Sequence, residues 1–199
     1  MQLFDRTLSD WLEYWAEKTP DREHIVYSDR NLRFTWKTFN ERVDNMANGL
    51  LSIGVTQGTH VGIWAQNVPD WLTLLYATAK IGAVAVTINT NYNSEELAFV
   101  LKNADMHTLC LPEGIPGSDY IDMIYELLPE LRSTQRGKLK SSRFPEMRNV
   151  VYIGQEKYRG MYNTAELLLA GSSRPKDQLM ALRQQTGCHD VVNMQYTSG

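Results

Sequence analysis

The sequence predicts an α/β fold, with a largely parallel sheet flanked by helices and an N-terminal β-hairpin, and three observations predict it. Short apolar runs rich in β-branched residues recur, each followed by a longer segment with apolar residues three and four apart, which is the alternation of strand and crossover helix. The run Ala83 to Asn89, AVAVTIN, is apolar without the polar alternation of a one-faced strand, as expected of a parallel strand covered on both faces. Near the start, two alternating runs from His24 to Trp36 flank the polar turn Asp29-Arg30-Asn31, the pattern of a hairpin. No internal repeat period is present.

The elements follow in order. Residues 2 to 18 place Leu3, Phe4, Leu8, Trp11, Leu12 and Trp15 at mostly helical spacing, and Thr19-Pro20-Asp21 stops the helix because proline cannot continue it. After the hairpin, Thr35 can cap a helix whose apolar face is Trp36, Phe39, Val43, Met46, Ala47 and Leu50, ending at Gly54. His60 to Gln66 reads as a short strand. Asn67 then caps a helix with Pro69 in its first turn, where no amide donor is missed, running to about Ile81. Strand 83–89 precedes a helix begun by Asn93-Ser94-Glu95-Glu96, in which Asn93 and Glu96 cap each other reciprocally. Residues 107–111 form a strand, and Asp119 to about Leu131 a helix with Ile121, Ile124, Tyr125 and Leu128 on one side. Strand 150–154, a helix begun at Asn163-Thr164-Ala165-Glu166, a polar helix near 176–185 and strand 190–196 complete the alternation.

The chain has 199 residues, 43% hydrophobic and 22% charged, enough to bury a full core, and its composition excludes disorder and low complexity. A formal net charge of -3 supplies no field to attract a polyanion, so no nucleic-acid partner is expected. Two cysteines, Cys110 and Cys188, are too few for a disulfide scaffold and fit a reducing cytoplasm. Charges at Asp5, Arg6 and Asp10 argue against a signal peptide. The nearly uncharged stretch 71–88 approaches the ~20 residues of a membrane span, but Lys80 near its centre, Gly82 and the change from Leu-rich to β-branched composition read as a helix followed by a buried strand. Between Arg132 and Arg148, six basic residues meet one acid, Glu146. The loop formers among them suggest a solvated linker, with a basic patch for a coenzyme phosphate or lipid headgroup as the alternative.

Chemistry points to the chain's last residues. Tyr196-Thr197-Ser198-Gly199 lets a strand deliver two hydroxyls and a glycine, the geometry in which close-approaching amides and hydroxyls hold phosphate oxygens. Other candidates read as structural. His107 and Cys110 stand three apart on a strand and point to opposite faces, so a shared metal is not expected. Cys188 and His189 have no third ligand in the local sequence. Ser198 lacks the flanking glycine of a hydrolase nucleophile elbow, and the five tryptophans, all among the first 71 residues, read as packing anchors.

The segments Thr35-Trp36-Lys37-Thr38-Phe39, GVTQGTHVGIWAQNVPDW (54–71), AKIGAVAVTINTNYNSEELAFVLKNAD (79–105) and the final YTSG together resemble the AMP-forming acyl-CoA synthetases of the adenylate-forming superfamily. The resemblance extends along essentially the whole chain. YIDMIYELLPEL (120–131) and RGKLKSSRFP (136–145) look most like the medium-chain fatty acid CoA ligases. It implies that residues 1–199 are the N-terminal part of the acetyl-CoA-synthetase-like adenylating (AMP-binding) domain, truncated inside the ATP phosphate loop. Thr197, Ser198 and Gly199 would open that loop, and the catalytic and metal-contacting residues would lie beyond the chain. The implied reaction uses ATP, Mg2+ and coenzyme A to convert a fatty acid first to acyl-adenylate and then to acyl-CoA, with the 199-residue chain alone inactive and a homo-oligomer possible. Trp36, Thr38, Phe39 and Thr59 depart from the family's usual residues at core and turn positions. The alternatives are a non-catalytic nucleotide- or partner-binding module and, within the family, a ligase for an aryl or short-chain acid.

Overall fold

The computed structural model describes residues 5–175 and 177–196. Helix α1 (Leu8–Lys18) starts later than the apolar spacing suggests. The Thr7 hydroxyl accepts from the Asp10 amide at 3.1 Å and the Asp10 carboxylate accepts from the Thr7 amide at 2.9 Å, a reciprocal cap that sets the first turn. Leu3 and Phe4 lie outside the described residues. The hairpin is present as β1 (Glu23–Tyr27) and β2 (Leu32–Thr35), joined by a short 3-10 turn and Asn31 in the left-handed region at φ 46°. Helix α2 (Trp36–Ser52) is capped by Thr35, whose hydroxyl accepts from the Thr38 amide at 3.2 Å.

The larger sheet has six strands among the described residues. Its members are β3 (His60–Ile63), β4 (Val84–Thr87), β5 (Thr108–Leu111), β8 (Asn149–Tyr152), β9 (Tyr162–Asn163) and β10 (Asn193–Gln195), in the order β10-β4-β3-β5-β8-β9, and all pairings are parallel. A small antiparallel pair, β6 (Gly114–Ile115) with β7 (Ser118–Asp119), leads into α5 (Tyr120–Leu127). The connecting helices are α3 (Pro69–Lys80), α4 (Ser94–Asn103), α6 (Thr164–Ser172) and α7 (Asp177–Gln185).

Alternate strand residues supply two cores, one on each face. Trp64, Val86, Leu109, Leu111 and Val150 face α4 and α5. Val61, Ile63, Ala85, Cys110 and Val151 face α2, α3, α6 and α7. This double burial is what the unbroken apolar strands require. No helix among the described residues is long and apolar enough to cross a membrane, and 71–88 divides into α3 and β4 as its composition suggests.

Several boundaries move for identifiable reasons. The α3 cap is Val68, not Asn67: its ψ of 154° is the extended conformation a residue before proline must take, and no side-chain cap bond forms. The helix expected to reach Leu131 stops at Leu127, because Pro129 cannot continue it and a 3-10 turn over Pro129–Arg132 follows. Strand 60–66 pairs regularly only to Ile63, and strand 190–196 only over Asn193–Gln195. The segment from Arg132 to Arg148 is more than a solvated linker. Leu139, Phe144 and Met147 are buried in the α4–α5 core while the charges stay outside, with Arg136 paired to Glu166 at 2.6 Å and Arg132 lying over the Tyr125 ring at 4.2 Å.

Two contacts bind the helical layer. Lys80, almost wholly buried, donates to Asn40 at 2.7 Å and Glu13 at 3.2 Å and is paired with Asp44, joining α1, α2 and α3 through a charge that would be costly if unpaired. Arg183 of α7 extends the network to Asp10 and Glu13. Helices α2 and α6 meet backbone to backbone: a Cβ on Gly171 would overlap the Asn45 carbonyl oxygen, and one on Gly49 would overlap that of Leu167. Gly171→Ala should therefore cost about 2 kcal/mol or more and lower the melting temperature by about 5 °C, read by thermal unfolding.

The hairpin and α2 also carry a pH dependence. His24 stacks on Trp36 at 3.5 Å between ring centroids, and its Nε2 is buried without a hydrogen-bond partner among the described residues. Burial pushes its pKa below the ordinary value of 6.5. The unfolded chain then takes up the proton at higher pH than the folded one, so the neutral imidazole's contribution is complete above pH 6.5 and is lost as pH falls from there through the lowered folded pKa. Melting should occur at lower temperature near pH ~5.5 than near pH ~7.5, and His24→Gln should shrink that difference. An unchanged difference in the variant would contradict the assignment.

Candidate functional site

In a parallel sheet with helices on both faces, ligands bind at the carboxyl ends of the strands, where neighbouring connections depart to opposite faces. That divergence occurs here beside β3: its chain continues into α3 on one face, whereas β4 continues into α4 on the other. The strand placed on the other side of β4 is β10, with Gln195 level with Thr87.

The floor of this edge is held by aromatic rings. Trp64, fully buried just past β3, stacks on Tyr120 with ring centroids 3.6 Å apart and planes 11° from parallel. Both rings also use their polar atoms. Trp64 Nε1 donates to the Asn89 carbonyl at 3.0 Å, and the Tyr120 hydroxyl donates to the Thr90 carbonyl at 2.6 Å. The loop leaving β4 is thus pinned from beneath, and its next residue but two, Asn93, caps α4 by accepting from the Glu95 and Glu96 amides. Burial raises the Tyr120 pKa, which keeps the hydroxyl a donor.

Along the same edge Asp70, near the start of α3, is paired with Arg42 and accepts from the Thr164 hydroxyl at 2.8 Å. Thr164 in turn accepts from the Gly154 amide at 3.1 Å, so α2, α3, α6 and the end of β8 share one polar network. At the β10 end, Tyr196 packs against the α4–α5 core and its hydroxyl oxygen accepts from Asn103 Nδ2 at 3.2 Å. Residue 196 is therefore anchored at both its ring and its hydroxyl.

The expected phosphate-contacting residues, Thr197, Ser198 and Gly199, lie outside the described residues. What is described is the strand and the tyrosine that lead to them. The Tyr196–Asn103 contact, the Trp64–Tyr120 stack and the Asp70 network had no local sequence signal, since each joins residues far apart in the chain. Of the other candidates, Cys110 is fully buried against the α2–α3 core, and its thiol is pushed far up by burial and by the nearby Asp70 carboxylate. His107 sits half-buried at the amino end of β5, its Nδ1 2.9 Å from the Thr108 hydroxyl, with its pKa lowered by burial and by Arg148. Cys188 and His189 lack a third donor only locally, because the fold brings the Asp5 carboxylate to them. No group of three or more His, Cys, Asp or Glu side chains gathers at the carboxyl edge among the described residues. These residues do not supply a carboxylate cage for Mg2+.

A cleft of about 410 Å3 between α1, α2 and α7 lies away from this edge. Its Glu13, Asp44, Lys80 and Arg183 are already paired with one another, so it is a weaker candidate than the strand ends.

Comparison with known proteins agrees with this geometry. YngI of Bacillus subtilis, an acyl-CoA synthetase by name, is 39% identical over 198 residues, covering 100% of this chain and 36% of YngI. The human mitochondrial medium-chain acyl-CoA ligase ACSF2 is 35% identical over 198 residues, covering 99% of this chain and 32% of the ligase. The chain thus spans about a third of the length of the curated relatives it matches. The long-chain-fatty-acid-CoA ligase FadD1 of Archaeoglobus fulgidus shares the fold, with a TM-score of 0.69 at 23% identity over 100% of this chain and 36% of that structure. The sequence profile of the AMP-binding enzymes matches residues 12–199, and the chain belongs to that family.

Proposed function

We propose that this chain is the N-terminal portion of an adenylating domain in an acyl-CoA synthetase that acts on a fatty acid, of medium chain length by its relatives, in the cytoplasm. In the first step a carboxylate oxygen of the acid attacks the α-phosphorus of ATP, the bond to the β-phosphate oxygen breaks, and pyrophosphate leaves. In the second, the sulfur of coenzyme A attacks the acyl carbonyl carbon, the thiol proton is lost, and AMP departs with the electron pair of the acyl–oxygen bond. The demand on the protein is alignment and charge neutralisation, since a carboxylate needs no strong base to attack in line. Mg2+ bound to ATP would neutralise phosphate charge.

In this reading β10 brings the chain to the carboxyl edge, Tyr196 is held to α4 through Asn103, and Thr197 and Ser198 donate hydroxyls to phosphate oxygens while Gly199 lets the backbone approach. The observation that carries it is the parallel pairing of Asn193–Gln195 with Ala85–Thr87, which makes Tyr196 leave the sheet on the ligand-binding side. Half of a phosphate loop offers too few donors for catalysis, so the 199-residue chain by itself is inactive.

The test is acid-dependent exchange of labelled pyrophosphate into ATP, run with carboxylic acids of several lengths on the 199-residue chain and on the longest product of the gene that encodes it. Exchange confined to a longer product and greatest with medium-chain fatty acids is the expected result. A folded longer product that supports no exchange with any acid, or a gene with no longer product, would overturn the proposal.

A further inference from the structure

Asp5, ahead of α1, and Cys188 and His189, in the turn that leads to β10, come from opposite ends of the sequence, yet one donor atom from each lies within 4.8 Å of the others. All three side chains are exposed. Among the described residues none of them makes a hydrogen bond or an ion pair, so their donor atoms are free to turn inward. Arg6, the nearest cation in sequence to Asp5, is engaged elsewhere: its guanidinium lies over Trp11 at 4.8 Å and Tyr14 at 4.7 Å. The turn itself is held by Asp190, whose carboxylate accepts from the Gly187 amide at 2.8 Å, with no demand on Cys188 or His189.

We propose that Asp5, Cys188 and His189 form a surface site for a borderline-soft divalent metal of the Zn2+ class, which ties the residues ahead of α1 to the turn ahead of β10. A thiolate, an imidazole nitrogen and a carboxylate oxygen are the three donor types Zn2+ takes, and the mixture favours it over Mg2+ or Ca2+, which want oxygen alone. Tetrahedral Zn2+ with such ligands holds donor atoms about 3.5 Å from one another, so rotation of exposed side chains closes the remaining gap and water completes the fourth position. On binding, the Cys188 thiol loses its proton to solvent and the sulfur electron pair forms the metal bond, with no change of oxidation state. The site lies on the amino side of β10, opposite the edge that Tyr196 leaves from. Its occupancy would therefore brace that strand without occupying the nucleotide site.

The chain offers a clean readout because its only other cysteine, Cys110, is fully buried. Titration with Co2+ should give one equivalent of a thiolate-to-metal charge-transfer band, displaced by Zn2+ and untouched by excess Mg2+. Zn2+ affinity, measured by competition with a chromogenic chelator, should fall at least about tenfold in each of Asp5→Ala, Cys188→Ser and His189→Ala, all exposed positions whose fold is checked by circular dichroism. Zn2+ should raise the melting temperature of the parent chain and not of Cys188→Ser. His60→Ala and His107→Ala, which alter the other histidine-bearing surface, should bind as the parent does. Affinity unchanged in any of the three ligand variants, or lost in His60→Ala or His107→Ala, would overturn the site.

Discussion

The constraint on which the remaining structure depends is the covering of one parallel sheet on both faces. A parallel strand cannot be reached by a tight turn, so each strand of this sheet is bought with a crossover, and crossovers must run over both faces if both are to be covered. The residues obey this one position at a time: Val61 and Ile63 point to the α2–α3 side while Trp64 points to α4–α5, and Ala85 and Val86 divide in the same way. Gly62 marks a close packing of β3 on its neighbours, where a Cβ would crowd the side chains of Leu109 and Met106. Once both faces are covered, the strand ends are the part of the sheet left for chemistry, and the divergence beside β3 decides which ends.

Polar networks then hold the helices to that frame. Lys80 draws α1, α2 and α3 together, Arg183 adds α7, and Asp70 with Arg42 and Thr164 joins α2, α3 and α6 near the strand ends. Such buried charges add little net stability over apolar packing, but they penalise any arrangement that leaves one of them unpaired. The Asp70 network holds the strand ends from the α2–α3 face, and the Trp64–Tyr120 stack and the anchored Tyr196 hold them from the α4–α5 face.

The layout was legible in the sequence wherever its cause is local. Caps at Thr35, Asn93 and Asn163, the turn at Asn31 and the apolar run of β4 all depend on residues within a few positions of one another. Local competition explains the misplacements: Pro69 made Val68 rather than Asn67 the cap, and Pro129 ended α5 early. Long-range partners were not legible. Lys80 could be read only as a charge that argues against a membrane span, with no hint of Glu13, Asn40 and Asp44 converging on it, and Cys188-His189 gave no sign that Asp5 would meet them. Of the candidate site, the strand and its Thr-Ser-Gly ending could be read from the chain, whereas the bond from Asn103 to Tyr196 depends on where α4 comes to rest.

Everything proposed for the site rests on β10 running parallel to β4 and so delivering Tyr196 to the carboxyl edge. Backbone NOEs in isotopically labelled protein test it most directly. Interstrand contacts of a parallel ladder are expected, with Asn193 opposite Ala85, Met194 opposite Val86 and Gln195 opposite Thr87, together with contacts from the Tyr196 ring to Asn103. An antiparallel pattern, a register shifted by one residue, or pairing of Asn193–Gln195 with a strand other than β4 would contradict it.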